Sequence, residues 1–346
     1  MNSSGNAAGG PIHHIPVMLP EVLEALAPRG GCVYVDGTFG GGGYTKKILE
    51  YADCNVISLD RDAYAINNAK YLEKLYSPRL KLINSRFSQL ESVLENINIE
   101  KVNGIVVDIG VSSMQLDDNT RGFSFQLDGP LDMRMDNERP NAYDVVNFLG
   151  EDELTNIIKI LGEEKLAKMV ARSIVRERSV HPIKTTFELR EVVAQAIGWS
   201  YRKTDKKTIH PATRTFQAIR IFLNSELYEL KRLLNISGKV LETGGRLVVV
   251  SFHSLEDRIV KEFLNHHTGI NKAVSRHLPV SNLDEKNSFK YVMSKLIKTG
   301  EDEVAKNPRS RSARMRVGER TNEIFRENLD IYTNSYDYQD LLEKLR

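Results

Sequence analysis

The sequence predicts an α/β fold, in which a parallel β-sheet carries helices on both faces and a helical segment interrupts the chain. Short apolar runs alternate with helical patterns through the first hundred or so residues, which is typical of a parallel sheet. A glycine-rich turn follows the first of these runs. Residues 113–211 contain no convincing core strand, so we expect them to form a separate helical unit.

The strands of the predicted sheet come in two groups. Apolar runs predict four strands before the helical segment, at residues 32–36, 56–60, 80–83 and 104–108. A helix at 62–76 joins the second and third, and Ser88 with Glu91 forms a Ser-x-x-Glu capping box for the helix before the fourth. After the segment, the spacing predicts a helix at 213–234, a fifth strand at 246–252 and an antiparallel edge pair at 290–297 and 312–317.

These patterns divide the chain into three parts. Residues 1–12 are rich in glycine, alanine, asparagine and serine, and this composition predicts a disordered tail. Residues 13–112 and 212–346 make up the sheet domain. Residues 113–211 are predicted to form an inserted helical domain, since Leu154 to Leu161 and Leu166 to Ile174 each carry an amphipathic stripe.

The turn after the first strand carries the clearest functional signal. It reads Asp-Gly-Thr-Phe-Gly-Gly-Gly-Gly-Tyr at residues 36–44, so Gly42, Gly43 and Tyr44 open the following helix. Such a strand-to-helix turn leaves backbone N–H groups facing a ligand. Asp60 ends the next strand, where a carboxylate can bind a ribose diol. Together these features predict a pocket for a nucleoside cofactor.

The same turn indicates which cofactor is bound. Neither the Gly-x-Gly-x-x-Gly of dinucleotide-binding folds nor the Gly-x4-Gly-Lys-Ser/Thr of phosphate loops occurs there. Asp36 at the entrance would repel a pyrophosphate but attract an α-ammonium group. S-adenosylmethionine (SAM) has that ammonium group and a ribose but no phosphate, so the turn favours SAM over NAD or ATP.

Further candidate residues lie at the remaining strand ends, where open α/β sheets bind ligands. Phe87 follows the third strand, and its ring suits either an adenine face or the core. Asp108 ends the fourth strand, where it would face the substrate or cap a helix. Gln115 could hold an adenine or carboxylate edge, and His253 after the fifth strand could contact a base or a phosphate.

The net charge of the chain is only +2, so any affinity for nucleic acid must come from local basic clusters. Such clusters are present and suggest a nucleic-acid partner. Two clusters fall in or beside the insertion and one near the end of the chain. They comprise Arg172, Arg176, Arg178 and His181, then Tyr201, Arg202, Lys203, Lys206, Lys207, His210 and Arg214, and finally Arg309, Arg311, Arg314 and Arg316. These residues could contact a phosphate backbone, or they could form an ordinary solvated surface.

Composition limits the remaining possibilities. Two cysteines make no disulfide framework and suggest a reducing compartment. No apolar stretch has the length of a membrane span. The acidic run Asp128, Asp132 and Asp136 is a poor match to any ligand loop, so no metal is predicted.

The motifs resemble the bacterial ribosomal RNA small-subunit methyltransferase H family, also called MraW, over nearly the whole chain. They are residues 14–19, 36–44, 59–62, 108–113, 115–118, 121–125, 128–136, 210–218, 251–258 and 307–312. The resemblance implies a class I SAM-dependent, Rossmann-like methyltransferase sheet and a cytoplasmic enzyme that methylates N4 of a cytidine in the decoding region of 16S rRNA. It also implies that the inserted helical domain recognises substrate.

Carried over by position, the family's SAM contacts are Gly42, Gly43, Tyr44, Asp60, Phe87, Asp108 and Gln115. The family usually has histidine where this chain has Tyr44, so only a contact through the backbone would survive there. Arg202, Lys203, His210, Arg214, His253 and Arg314 are the candidates for substrate binding. The expected partner is 16S rRNA within the small subunit, and a homodimer is possible.

The chemistry of the target base suggests a role for Asp108. The lone pair of the exocyclic N4 is delocalised into the ring, so alignment and a hydrogen-bond acceptor would both help. We expect Asp108, or a backbone carbonyl near Ile109 and Gly110, to be that acceptor, unless Asp108 serves only the cofactor. The alternatives are a SAM-dependent methyltransferase acting on another nucleic acid or on a small molecule, and a non-catalytic SAM-binding ribosome-assembly factor.

Overall fold

The computed structural model describes residues 16–136, 140–198, 210–270, 287–327 and 338–345. The predicted tail at residues 1–12 therefore lies outside the described residues. The strands of the described ranges form one sheet. They are β1 Val33–Asp36, β2 Asn55–Asp60, β3 Leu80–Asn84, β4 Val102–Asp108, β5 Leu241–Ser251, β6 Phe289–Tyr291, β7 Ile297–Lys298 and β8 Arg314–Arg320.

The sheet order is β3-β2-β1-β4-β5-β8-β6, and β7 also pairs with β8. Strands β1 to β5 run parallel, whereas β8 is antiparallel to β5, β6 and β7. The chain order reverses between β1 and β4, so a crevice opens at their carboxyl ends. This topology confirms the predicted α/β class with a mostly parallel sheet.

Helices cover both faces of the sheet. Those of the described ranges are α1 Leu19–Leu26, α2 Gly43–Tyr51, α3 Ala63–Asn68, α4 Lys70–Leu75, α5 Leu90–Asn96, α6 Ser113–Asp117, α7 Ala142–Phe148, α8 Glu151–Leu161, α9 Ala167–Arg178, α10 Thr186–Ile197, α11 Ala212–Asn224, α12 Glu226–Val240, α13 Ser254–His267, α14 Glu301–Lys306 and α15 Gln339–Glu343. None of them is long and apolar enough to cross a bilayer.

Alternating strand residues supply the two hydrophobic layers. Val35 and Ile105 face the layer that contains α5 and α12, while Tyr34 and Val106 face the layer that contains α1 and α2. This alternation follows from the period of two in a strand. The buried residues of α7 to α10 belong to the first layer, so the insertion shares its core with the sheet. The division of the chain into two domains stays a prediction.

Two helix predictions near the cofactor turn are wrong in detail. The helix expected at 62–76 is divided at Ala69 into α3 and α4. Ser88 caps no helix, because it lies inside a 3-10 turn, Phe87–Gln89, and α5 begins only at Leu90. The Ser-x-x-Glu spacing is present, but the 3-10 turn at Phe87–Gln89 delays the start of the helix to Leu90.

The helix expected at 213–234 is also divided. Ser225 has a φ of 50°, which ends α11 and begins α12. The neighbouring Asn224 is buried, and its amide accepts from Met135 N at 2.9 Å and donates to the Met133 carbonyl at 2.8 Å. These hydrogen bonds hold the insertion loop at the break, a long-range interaction that helical periodicity does not predict.

The last strands differ from the expected edge pair. Strand β8 lies between β5 and β6 instead of at an edge. Its Arg316 is only 6% exposed and binds Asp257 through Nε at 2.6 Å. The alternation of Arg314 and Arg316 therefore does not mark a fully solvated face, because Asp257 of α13 pairs with both residues and Arg316 is buried.

Candidate active site

A cavity of about 400 Å³ opens at the carboxyl ends of β1, β2, β4 and β5. Six of the seven residues predicted to bind the cofactor line it: Gly43, Tyr44, Asp60, Phe87, Asp108 and Gln115. The seventh, Gly42, is buried behind the lining with a φ of 75°, and a Cβ there would lie 2.7 Å from the Phe39 ring. Gly42 therefore shapes the turn, and the space beside its Cα is filled by the Phe39 ring, so a ligand does not contact it there.

The turn after β1 presents backbone donors to the cavity. Gly40 has a φ of 51° and Gly42 one of 75°, conformations that glycine adopts readily. Helix α2 begins at Gly43, and its N-cap residue Gly42 has no side chain that could cap the first turn. The free N–H groups of this turn, together with the helix dipole, favour an anionic group such as a carboxylate.

Asp60 holds this turn in place. One carboxylate oxygen accepts from Gly40 N at 2.7 Å, and the other accepts from Asp62 N at 2.8 Å. Each oxygen keeps a second lone pair for a ligand hydroxyl. Burial raises the pKa of Asp60 to about 6, although these hydrogen bonds lower it. Asp60 thus suits the ribose diol predicted for it.

Asp36 lies deeper than the sequence suggested. It is fully buried and does not line the cavity, and its carboxylate accepts from Thr45 Oγ1 at 2.6 Å and Thr38 N at 3.2 Å. Burial raises its pKa to about 6. The expectation of direct contact with an ammonium group is therefore wrong, because the turn folds over Asp36. Its charge can still act on the cavity from below.

Asp108 is the partly buried carboxyl group at the switch point of the sheet. Its backbone N–H donates to Thr38 Oγ1 at 2.7 Å, while its Oδ1 has no hydrogen-bond partner among the described residues. Burial raises the pKa of Asp108 well above its usual range, and the nearby Asp36 and Glu256 raise it further. An unpartnered carboxyl group in a cavity indicates that a ligand supplies the missing partner.

Gln115 and Tyr44 are held mainly by the protein itself. Gln115 Nε2 donates to Asp62 at 3.0 Å and its Oε1 accepts from Ser112 N at 3.0 Å, which leaves one N–H of the amide for a ligand. The Tyr44 hydroxyl donates to the Val17 carbonyl, and burial raises its pKa well above the usual value. Tyr44 thus anchors the chain entering α1, and a ligand can meet its ring or its backbone.

The candidates for substrate binding are scattered. Of these, His253 lines the cavity, where it is the N-cap of α13. His210 stacks on Phe125 with ring centroids 5.1 Å apart, and Arg214 pairs with Glu164 at 3.4 Å. Arg314 pairs with Asp257 at 3.0 Å. None of these three lines the cavity. Arg202 and Lys203 lie outside the described residues.

Sequence reasoning missed two arginines that lie beside the cofactor turn. Arg61 and Arg86 both line the cavity and both bind Asp136, with Nη2 to Oδ2 distances of 2.6 and 2.9 Å. Asp136, the last residue of the acidic run, therefore binds two arginine side chains of the sheet domain. Arg61 directly follows Asp60, and that adjacency was the available signal.

The cavity wall also contains Arg220 and Glu226, which form a bidentate ion pair. Glu226, His253 and Glu256 offer oxygen and nitrogen atoms within 4.8 Å of one another, a separation that a metal ion could bridge. Arg220 already occupies both oxygens of Glu226, however. The expectation of no metal stays a prediction.

The residues present fit SAM. Its ribose suits Asp60, its carboxylate suits the first turn of α2, and its ammonium and sulfonium charges suit a cavity with Asp60 and Asp108 in its wall. The unpartnered Oδ1 of Asp108 and the uncapped start of α2 are the two observations that a bound molecule would complete.

The sheet order and this cavity define the class of SAM-dependent methyltransferases with a Rossmann-like sheet. The profile of the MraW methylase family matches residues 11–321. The chain belongs to the MraW methylase family and is a SAM-dependent methyltransferase.

Named relatives cover most of this chain. A ribosomal RNA small subunit methyltransferase H from Parvibaculum lavamentivorans is 50% identical over 93% of each chain. Proteins of the same name from Azorhizobium caulinodans and Afipia carboxidovorans are 50% and 51% identical over 91% and 89% of this chain, which correspond to 89% and 90% of theirs. A solved rRNA-methylase structure from Clostridium thermocellum covers 89% of this chain and 99% of its own, with 13% identity and a TM-score of 0.42. The fold assignment therefore rests on the sheet order itself.

Proposed function

We propose that this protein methylates N4 of a cytidine in the decoding region of 16S rRNA, with the small ribosomal subunit as its partner. The relatives that share about half of its residues carry the name ribosomal RNA small subunit methyltransferase H. The single structural observation that supports the reaction is Asp108, an unpartnered carboxyl group at the end of β4 in the wall of the cavity.

The residues predicted to bind the cofactor have defined tasks in this proposal. Asp60 would bind the ribose, the backbone at Gly43 and Tyr44 would bind the carboxylate, and Phe87 would cover the adenine. The free N–H of Gln115 would bind the adenine edge. When bound, SAM supplies an electrophilic methyl carbon on a positively charged sulfur.

Asp108 would act on the other reactant. The amino group of cytosine is planar and weakly nucleophilic, and an acceptor that binds one of its hydrogens helps to localise the nitrogen lone pair. The bound cation favours the ionised form of Asp108, which is the form that accepts. The N–C bond would form as the bond between the methyl carbon and sulfur breaks, its electron pair passing to sulfur, and the amino proton would then pass to water. The chief contribution of the chain is alignment within the cavity.

The inserted helices offer a surface for the flanking phosphates. On α9, Lys168, Arg172 and Arg176 follow one another at intervals of four residues and are exposed. Arg178 differs from them, since its guanidinium donates to the carbonyls of Val146 and Leu149 at the end of α7. We therefore assign phosphate contacts to the first three. Replacing them by alanine should weaken RNA binding and reduce the slope of log affinity against log salt by about 2 to 3.

The proposed substrate bears on where the protein acts and on which state of the base it binds. A small-subunit rRNA substrate implies a cytoplasmic enzyme. The target base has to be unpaired to enter the cavity. A homodimer stays a prediction, which sedimentation of the purified chain would test.

Transfer of a labelled methyl group tests the proposal directly. Small subunits from a strain lacking the enzyme are incubated with the protein and labelled SAM, and the rRNA is digested and mapped. We expect label in N4-methylcytidine at one decoding-region position. Label in another nucleoside would overturn the proposed reaction, and tight subunit binding without transfer would indicate an assembly factor instead.

Asp108→Asn separates the two roles of the carboxylate. If Asp108 accepts from the amino group, the variant retains SAM affinity and loses turnover by about a hundredfold or more. Loss of SAM binding alone would restrict Asp108 to the cofactor.

A further inference from the structure

One part of the cavity wall is built by the break between α11 and α12. Ser225, with its φ of 50°, turns the chain so that side chains from both helices reach the same cavity as Asp108. Gln217 and Arg220 come from α11, and Glu226 and Glu229 come from α12. None of these residues belongs to the cofactor turn, so this wall is available to the second reactant.

Arg220 and Glu226 form a fixed fork in this wall. Arg220 Nε donates to Glu226 Oε1 at 2.8 Å, and Nη2 donates to Oε2 at 2.9 Å. The side chains are only 15% and 5% exposed. The third nitrogen, Nη1, has no hydrogen-bond partner among the described residues and is not among their fully buried, unpartnered atoms. The guanidinium is thus held on one edge and has a donor left over on the other.

The surroundings keep this donor charged. Burial disfavours the charge of Arg220, but the adjacent Glu226 outweighs burial and raises the pKa of the guanidinium. Glu256 is close enough to contribute, and its own charge also reaches Asp108. Arg220 and Asp108 both line the cavity, which therefore presents a cationic donor and a carboxyl acceptor to the same ligand.

This arrangement complements one edge of cytosine. Along its pairing edge, cytosine presents two acceptors, O2 and N3, followed by the N4 amino donor. Uracil presents an N3–H donor and an O4 acceptor in the corresponding positions. A guanidinium donor beside N3 would favour cytosine, whereas uracil would place a donor against a donor.

We propose that Arg220, positioned by Glu226, is a specificity-determining residue that binds the O2 and N3 acceptors of the target pyrimidine. Its binding directs the N4 amino group towards Asp108. The inference rests on the proposed function, because it concerns the base that enters the same cavity. The simpler role of the ion pair, to fasten α12 to α11 across Ser225, predicts no dependence on the base.

Binding of mononucleotides to the protein loaded with S-adenosylhomocysteine (SAH) separates these roles. Cytidine, uridine and 3-deazacytidine 5′-monophosphates are titrated and followed by NMR. We expect the wild type to bind the cytidine nucleotide at least about tenfold more tightly than the other two. Absence of cytidine nucleotide binding, or no preference over the uridine nucleotide, would overturn the inference.

Variants then locate the preference. Arg220→Lys keeps the charge but not the fork, so it should bind the cytidine nucleotide about tenfold more weakly and bring its affinity close to that for the 3-deaza nucleotide. Glu226→Gln should reduce the preference less, because an amide still holds one edge. Arg232→Lys, on the exposed side of α12, is the matched control and should retain it. Retention of the wild-type preference in Arg220→Lys would overturn the inference.

Two further measurements keep the outcomes distinct. SAH affinity and the thermal midpoint show whether each variant is folded, and the 3-deaza nucleotide tests the contact on the wild type even if Arg220→Lys does not fold. Methyl transfer to small subunits is measured in parallel. Cytidine methylation by the wild type without a nucleotide preference would refute the role of Arg220 alone, whereas methylation of another nucleoside would refute the proposed function.

Discussion

The Asp60 carboxylate accepts a hydrogen bond from the backbone N–H of Gly40 at 2.7 Å, so the end of β2 holds the turn that follows β1. The residue that suits the cofactor ribose therefore also fixes the backbone that surrounds the rest of the cofactor. Binding and local structure are coupled through one carboxylate, and its ionisation bears on both.

The first prediction concerns proton release. Asp36 and Asp60 have pKa values of about 6 in the free protein. SAM carries a net positive charge, which favours ionised carboxylates and lowers both pKa values. At pH 6 each of these two groups is about half protonated, whereas at pH 8 both are almost fully ionised. Binding should therefore release on the order of one proton more at pH 6 than at pH 8. Calorimetric titration in two buffers of different ionisation enthalpy measures the number.

SAH and Asp60→Asn provide the controls for this measurement. SAH lacks the sulfonium charge and should release fewer protons, with an affinity that depends less on pH. In Asp60→Asn, the difference in release between pH 6 and pH 8 should fall by roughly half, because only one of the two groups still titrates in this range. Equal release by SAM and SAH would show that the sulfonium charge does not reach these carboxylates.

The second prediction concerns the start of α2. A Cβ on Gly43 would lie 2.2 Å from Pro16 Cγ, whereas one on Gly41 would meet nothing within 4 Å. Gly43→Ala should lower the free energy of unfolding by about 1–3 kcal/mol, because Pro16 has to move. It should also weaken SAM binding, since Pro16 and Val17 line the cavity. Urea denaturation checks stability, and Gly41→Ala should stay within about 0.5 kcal/mol of the wild type.

The third prediction concerns Tyr44, which stands where the family usually has histidine. Tyr44→Phe removes the donor to the Val17 carbonyl and should cost about 1 kcal/mol in stability. If SAM meets only the backbone here, its affinity should change by less than about threefold in Tyr44→Phe and Tyr44→His. A tenfold loss in Tyr44→Phe, measured by calorimetry, would assign the hydroxyl a part in SAM binding.

The fourth prediction concerns the link between the insertion and the sheet. Asp136 neutralises Arg61 and Arg86, and the Asp136 and Arg61 side chains are only 12% and 11% exposed. Asp136→Ala should lower the free energy of unfolding by about 3–5 kcal/mol, because it removes the carboxylate that binds the largely buried Arg61 and one that binds Arg86. Asp132→Ala, which breaks a more exposed pair with Arg134, should cost less than about 1 kcal/mol. Similar denaturation curves for the two variants would contradict this account.

Much of the sheet could be predicted from local patterns. The first five strands appear close to their predicted positions because buried parallel strands are short apolar runs with clear ends. The cofactor turn was recognisable because its glycines and Asp60 are adjacent to those ends. Residues 113–211 contain helices and no strand in their described part, as the helical stripes indicated.

The remainder depends on contacts between residues far apart in the chain. The break at Ser225 is associated with hydrogen bonds from Asn224 to the loop of Met133 and Met135, and helical periodicity continues across it unchanged. The Arg220–Glu226 pair in the cavity wall is a consequence of that break. Similarly, Arg314 and Arg316 look like a basic patch in the sequence, but Asp257 neutralises them in the fold. Charge patterns show which residues are basic, and only the tertiary structure shows which are already paired.

A crystal structure of the protein with a non-reactive SAM analogue tests the central claim most directly. The account predicts that the ribose hydroxyls lie within hydrogen-bond distance of Asp60, that the carboxylate of the analogue lies at the first turn of α2, and that Asp108 faces the position of the methyl group. An analogue bound elsewhere, or a ribose without contact to Asp60, would contradict it.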